Sequence, residues 1–276
     1  MGNPTDQSPA VLENKSAILC HWLLAVLLAL AFALQIASFF LPLRFASQGQ
    51  LDAALILTAA GSTLASLWRR LPLQNVLTVA FGVAVIGGGL TTLGAKTGLP
   101  FGPFIFGSGI GPVYYKSLSW VMPLIWVVII LNSRGVARLI LRPWRKNKTY
   151  GYKVIGLTAL LVLLFDVAFD PFASRVRHSW VWMPSALKLT WQGAPLANFL
   201  TWAAITLLIL VVITPWLVVK QPRQKRGADL YPIGVWLGGL VLFAVGCGVN
   251  GIWAPVIANA VIGAGVAVFA IRGAMW

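Results

Sequence analysis

Apolar residues fill the chain in eight long runs separated by short polar or turn-rich segments. A bilayer core needs about 20 apolar residues per helix. That ruler predicts spans at 17–41, 51–68, 75–95, 117–133, 153–170, 196–219, 231–252 and 254–271. Only Trp253-Ala254-Pro255 separates the last two. The first run is long and flanked only by Lys15, which reads as a retained helix and not as a signal peptide. The predicted fold is an all-α, polytopic integral membrane helical bundle of about eight transmembrane helices. A short polar tail over 1–16 precedes one membrane domain over 17–276.

Composition supports this and excludes a soluble domain: 59% of residues are hydrophobic and 10% charged, against about 25% charged in soluble domains. A net charge of +15 raises the question of nucleic acid, but the basic residues lie between the apolar runs, so they report topology. With eight spans, 15 of the 21 Lys and Arg fall on the side of the termini and six on the other. Both termini are therefore expected in the cytoplasm. The basic stretch from Arg134 to Lys153 reads as a cytoplasmic connection touching anionic lipid, with no nucleic-acid partner.

Several chemistries lack their parts. Two histidines, His21 and His178, are too few for a membrane di-iron centre, and Cys20 and Cys247 have no partner at ligand spacing. No metal and no cofactor are expected. No Walker loop is present, and Gly107-Ser-Gly109-Ile-Gly111 lacks the strand–turn–helix unit of a dinucleotide site, so it reads as a flexible or closely packed turn. The pairs Gly94/Gly98, Gly98/Gly102 and Gly234/Gly238 read as helix-packing positions. Gly87 to Gly89, inside the third span, predict a thinned helix beside something bulky.

Acids inside membranes are costly and mark function or pairing. The sequence places two in or at the end of an apolar helix, in Phe165-Asp166-Val-Ala-Phe-Asp170-Pro171. Their i, i+4 spacing puts both carboxyls on one helix face, and Pro171 predicts that the helix ends at Asp170. A purely structural pair would be neutralised by Lys96, Arg175 or Arg177. Two connections on the noncytoplasmic side combine aromatics with rigid turns: Thr97-Gly-Leu-Pro-Phe101-Gly102, and Trp180-Val-Trp182 with Trp191 and Gly193-Ala-Pro195. Asn198 opens the sixth span, as a helix cap or as a group reaching the acids.

These stretches, with Ile110-Gly-Pro112, Val121-Met-Pro-Leu-Ile-Trp126 and Asn198-Phe-Leu-Thr-Trp202, resemble the carotenoid biosynthesis family of membrane hydratases, the CruF type, over about residues 91–202. The resemblance implies addition of water to the terminal double bond of an acyclic carotenoid, giving a tertiary alcohol. There are departures. Members carry a Glu shortly before Thr-Gly-x-Pro-Phe-Gly, where this chain has Thr91 and Thr92, and Tyr residues after it, where Phe104 and Phe106 stand here. The resemblance therefore implies the family more firmly than the activity.

Such a hydration needs a proton donor, a tertiary cation and a captured water. Asp166 and Asp170 are the candidate catalytic pair. Phe101, Trp180, Trp182, Asn198 and Trp202 are the candidate substrate-binding residues, the Trp rings facing the cation. The expected partners are an acyclic carotenoid or related polyene, membrane lipid and other carotenoid enzymes, and the expected location is the bacterial inner (plasma) membrane. A non-catalytic carotenoid-binding scaffold is the competing expectation. A proton-coupled transporter fits less well, because no internal repeat is visible.

Overall fold

A computed structural model of the protein describes residues 15–42, 46–107, 109, 111–184, 189–218 and 227–276. Among them are eight helices: α1 (Lys15–Ala37), α2 (Gln48–Trp68), α3 (Leu73–Thr97), α4 (Met122–Ile140), α5 (Tyr150–Pro171), α6 (Leu196–Leu217), α7 (Tyr231–Val249) and α8 (Trp253–Ala274). All eight are long and apolar enough to cross a membrane. The protein is a helical membrane bundle with α4 and α5 the most enclosed and α1 and α8 the least.

Residues 1–14 of the polar tail lie outside the described residues, as do Arg44, Lys188, Lys220, Arg223, Lys225 and Arg226 of the charge count. Orientation thus rests on the sequence. A reporter fused after Trp276 is expected to behave as cytoplasmic; activity there of a reporter that works only across the membrane would overturn that orientation.

Local chemistry sets several boundaries. Ser47 and Gln50 form a reciprocal capping box at the start of α2. Gly98 ends α3 in the left-handed region, with φ 74°, its N–H bonded to the Gly94 carbonyl. The fourth span differs from the expected 117–133. Residues before Met122 form a tight hairpin, Val113–Tyr114 (β2) against Leu118–Ser119 (β3). The helix then continues past Arg134 and Arg138 to Ile140, so these two cations belong to α4 and not to a connection.

The expected helix end at Asp170 is also corrected. Pro171 stays helical, and the chain passes into a wider π-type turn over Phe172–Val176, closed by Arg177 N–H to the Phe172 carbonyl at 2.9 Å. A proline inside a helix deprives the carbonyl four residues back of its donor. That carbonyl, Val167, accepts from the indole N–H of Trp191 at 3.0 Å instead.

At the end of the bundle holding the α5 C-terminus, the long connections pair. Phe104–Phe106 (β1) runs antiparallel to Trp180–Trp182 (β4), with Phe104 opposite Trp182, and Thr190–Trp191 (β5) pairs with Ala194–Pro195 (β6). Within the expected Gly107–Gly111 turn, Gly107 and Gly109 lie close against the backbone of His178 and Arg177. Gly107 and Gly109 donate to the Ser179 and His178 carbonyls, while Ser108 and Ile110 lie outside the described residues.

Lipid tails are as apolar as leucine, so close packing and interhelical hydrogen bonds hold such a bundle. Gly87 and Gly88 provide the thinned helix expected of them: a Cβ would lie 2.4 Å from Trp126 at the first and 2.7 Å from Pro123 at the second. Of the Gly-xxx-Gly positions, Gly94 packs on Phe101, Gly102 on Pro195 and Gly238 on Phe32. Gly98 is a helix cap, and Gly234 faces open space, so those two are not packing positions. Interhelical bonds run from Trp126 to Thr91, from Asn132 to Thr63 and from Trp236 to Ser133, at 2.9, 2.8 and 3.2 Å. Each contributes roughly 0.5–2 kcal/mol.

Candidate functional site

Asp166 and Asp170 lie one turn apart on α5 and are both fully enclosed, at 0% and 1% exposure. Asn198 of α6 donates to Asp166 Oδ2 at 2.8 Å, while Asp166 Oδ1 is buried with no hydrogen-bond partner. Asn198 is therefore a partner of the acids and not a helix cap; Pro195 holds the cap position. Asp170 is held at both oxygens: Trp180 donates to Oδ2 at 3.2 Å and Trp182 to Oδ1 at 3.1 Å, while the Ser174 hydroxyl lies 2.8 Å from the Asp170 carbonyl and 3.3 Å from Oδ1. The two indoles come from β4, so pairing of β4 with β1 is what aims them at the carboxylate.

Two of the three cations expected as neutralising partners, Arg175 and Arg177, go elsewhere. Arg175 bonds Gln192, and Arg177 turns to α1 and α2. Among the described residues neither aspartate forms an ion pair. Two carboxyls share one low-dielectric site without a counter-charge, an arrangement that is expensive for ions and tolerable for a protonated acid.

The expected substrate-binding aromatics divide. Trp202 stacks on Trp126 with ring centroids 3.8 Å apart and is buried in the α3–α4–α6 contact. Phe101 is buried edge-on to Phe104, and Trp182 lies edge-on to the same Phe104 ring. Thr91, where the family resemblance anticipates Glu, is buried; it accepts the Trp126 indole N–H and donates to the Gly87 carbonyl at 2.8 Å. This position is thus committed to packing.

A cavity of about 390 Å³ opens on the other side of α5, between α1, α2, α4, α5 and α7. Its wall is aromatic and aliphatic, with Phe165, Phe169, Phe172, Trp180, Trp236 and Phe243 prominent. Of the seven residues expected at the site, Trp180 alone lines it. Trp180 joins the two regions, presenting its ring to the cavity and its N–H to Asp170.

One end of the cavity is polar, with Ser47, Gln50, Asp52, Arg177 and Ser179. Asp52 stands in the first turns of α2 and corrects the expectation that Asp166 and Asp170 are the only acids set into apolar helices. It accepts from Gln35 Nε2 at 2.6 Å and from Gln48 at 3.2 Å, and Arg177 Nε lies 3.6 Å away, an ion-pair distance. Arg177 also donates to Gln35 Oε1 at 2.5 Å and lies over the rings of Phe39 and Phe172, 4.7 and 5.3 Å from their centroids. Burial pulls the Arg177 guanidinium down from its ordinary range, and the Asp52 charge opposes that. A sequence signal for this cluster existed: Gln35 is a lone carboxamide inside a long apolar run, and here it is 0% exposed.

Comparison with known proteins yields a curated relative, the bisanhydrobacterioruberin hydratase of Haloarcula japonica, 28% identical over 107 residues. The matched stretch covers 38% of this chain and 35% of the relative, so the chain spans about a third of the curated protein it matches. No solved structure matches. The profile of the family described as carotenoid biosynthesis protein matches residues 51–266, which takes in most of the cavity lining, both buried carboxyls and five complete helices, α3 to α7. This chain belongs to the carotenoid biosynthesis protein family.

Proposed function

We propose that this protein hydrates the terminal carbon–carbon double bond of an acyclic carotenoid within the bacterial inner membrane, as one membrane domain over 17–276 working beside other carotenoid enzymes. The observation that carries the reading is an aromatic cavity sharing a wall, at Trp180, with two enclosed carboxyls that have no counter-ion. Family membership and the hydratase relative supply the substrate class and the reaction.

In this reading the apolar end of a polyene enters the cavity, and a carboxylic acid protonates its terminal double bond. Asp166, with its free Oδ1, is the proton donor. Asp170, held by two indole N–H groups, anchors the turn. Proton delivery then requires the aromatic wall of the cavity to open towards Asp166, which does not itself line it. The resulting tertiary cation faces indole and phenyl rings, each worth roughly 0.5–2 kcal/mol to a desolvated cation. Water captures it and leaves the alcohol.

The separation of Asp166 and Asp170 from the cavity lining favours one alternative, a scaffold that holds a carotenoid without altering it. Pigment mass spectrometry separates the two. In a host making an acyclic carotenoid, hydration gives a more polar pigment heavier by one or two waters, its new oxygen drawn from labelled water. Unchanged pigment that copurifies with the protein supports the scaffold, and oxygen drawn from molecular oxygen overturns hydration.

A further inference from the structure

We propose that Asp52, held by Gln35 and Arg177 at the polar end of the aromatic cavity, is the carboxylate that positions the capturing water and takes its proton. The inference deepens the hydration reading and rests on it.

Capture of a tertiary cation needs two things at one point: a route for water and an acceptor for the proton that the attacking water must lose. The cavity offers both together at one place. Its deeper lining is aromatic and aliphatic apart from Asn132, whose amide N–H groups are spent on Thr63 Oγ1 and the Val128 carbonyl, both at 2.8 Å. At the other end Ser47 and Gln50 are exposed enough to admit water, and Asp52, one-fifth exposed, is the one carboxylate in the lining among the described residues. Asp170 cannot serve, because it does not line the cavity.

The support around Asp52 fits a group whose aim matters. Gln35 ties Asp52 Oδ1 to the Arg177 guanidinium by donating to the one and accepting from the other. Arg177 is itself fixed over two phenyl rings. Three elements, α1, α2 and the turn after α5, thereby converge on one carboxylate. Arg177 acts as a positioning residue, since it reaches the reaction through Asp52.

The chemistry balances. The donor's O–H bond breaks as a C–H bond forms at the terminal alkene, leaving the tertiary cation. A water lone pair forms the C–O bond, and the O–H bond that then breaks sends its proton to the Asp52 carboxylate. Asp52 releases that proton to solvent at the cavity mouth, and the donor is reprotonated from solvent. The net change is one water added to one double bond. Without Asp52 the cation still forms but loses a proton from carbon, returning an alkene.

Isolated membranes carrying the protein and an acyclic carotenoid, incubated in D₂O or in H₂¹⁸O, read the two steps separately. The wild type is expected to incorporate both labels. Asp52→Asn is expected to keep deuterium entry at the end group while ¹⁸O entry falls by about 100-fold or more relative to it, the range of a lost general base. Arg177→Lys keeps the charge but loses the fork, so the ratio of ¹⁸O to deuterium should fall by a smaller amount and its pH profile should shift. Arg177→Lys also decides the case if Asp52→Asn fails to accumulate in the membrane. An unchanged label ratio in the accumulating variants overturns the inference, as does loss of both labels together in Asp52→Asn at normal abundance. A wild type that incorporates neither label overturns the hydration reading itself, and with it the role of Asp52.

Discussion

Replacing Asp166 with Asn is expected to abolish hydrated pigment, a loss of at least about 100-fold, while membrane abundance stays close to wild type. The amide oxygen can still accept the Asn198 N–H now bonded at 2.8 Å, so shape and one hydrogen bond survive and only the transferable proton is lost. Asp170→Asn should behave differently. An amide has one acceptor oxygen where Trp180 and Trp182 need two, so one indole N–H is left unpaired at a cost of about 1–3 kcal/mol. Reduced abundance, with residual activity per molecule, is the expected result. Normal hydration by Asp166→Asn together with a dead Asp170→Asn at normal abundance would reverse the two roles. Full activity of both would make the carboxyls structural.

The second large effect concerns the cavity. Ile56 lines it and is only half-buried, whereas Leu57, its neighbour on α2, is 52% exposed and faces outward. Ile56→Trp places an indole in the space and should eliminate product and carotenoid binding alike, with the thermal stability of the purified protein retained because a void has been filled. Leu57→Trp should leave all three unchanged. Wild-type hydration by Ile56→Trp would move the reaction away from this cavity.

The eight spans were legible because period and length suffice to find an apolar helix, and α6 starts at the expected residue. The start of α4 was not, since the apolar and aromatic residues that precede it sit in the β2–β3 hairpin and carry the same hydropathy as a helix. Pro171 misled for a related reason. Its cost to the helix is offset by Trp191, twenty residues away, and nothing local announces that. The buried acid pair could be read from its i, i+4 spacing and Asn198 from its position, because both depend on a helix face. The cavity could not, as it forms between five helices and draws its polar end from Asp52 and Arg177, which lie far apart in sequence, the one at the start of the second predicted span and the other in a connection. Trp202 and Phe101 show the converse: aromatics expected at the site, spent on packing against Trp126 and Gly94.

The bond from Trp191 to the Val167 carbonyl makes the β5–β6 ribbon part of the α5 helix in a thermodynamic sense. Peeling the ribbon away would strand a bare carbonyl in low dielectric one residue from Asp166, at a cost of about 1–3 kcal/mol before any other contact is lost. Ribbon and acid-bearing turn therefore open as one cooperative unit, and the ribbon is unsuited to the independent fluctuations of a lid.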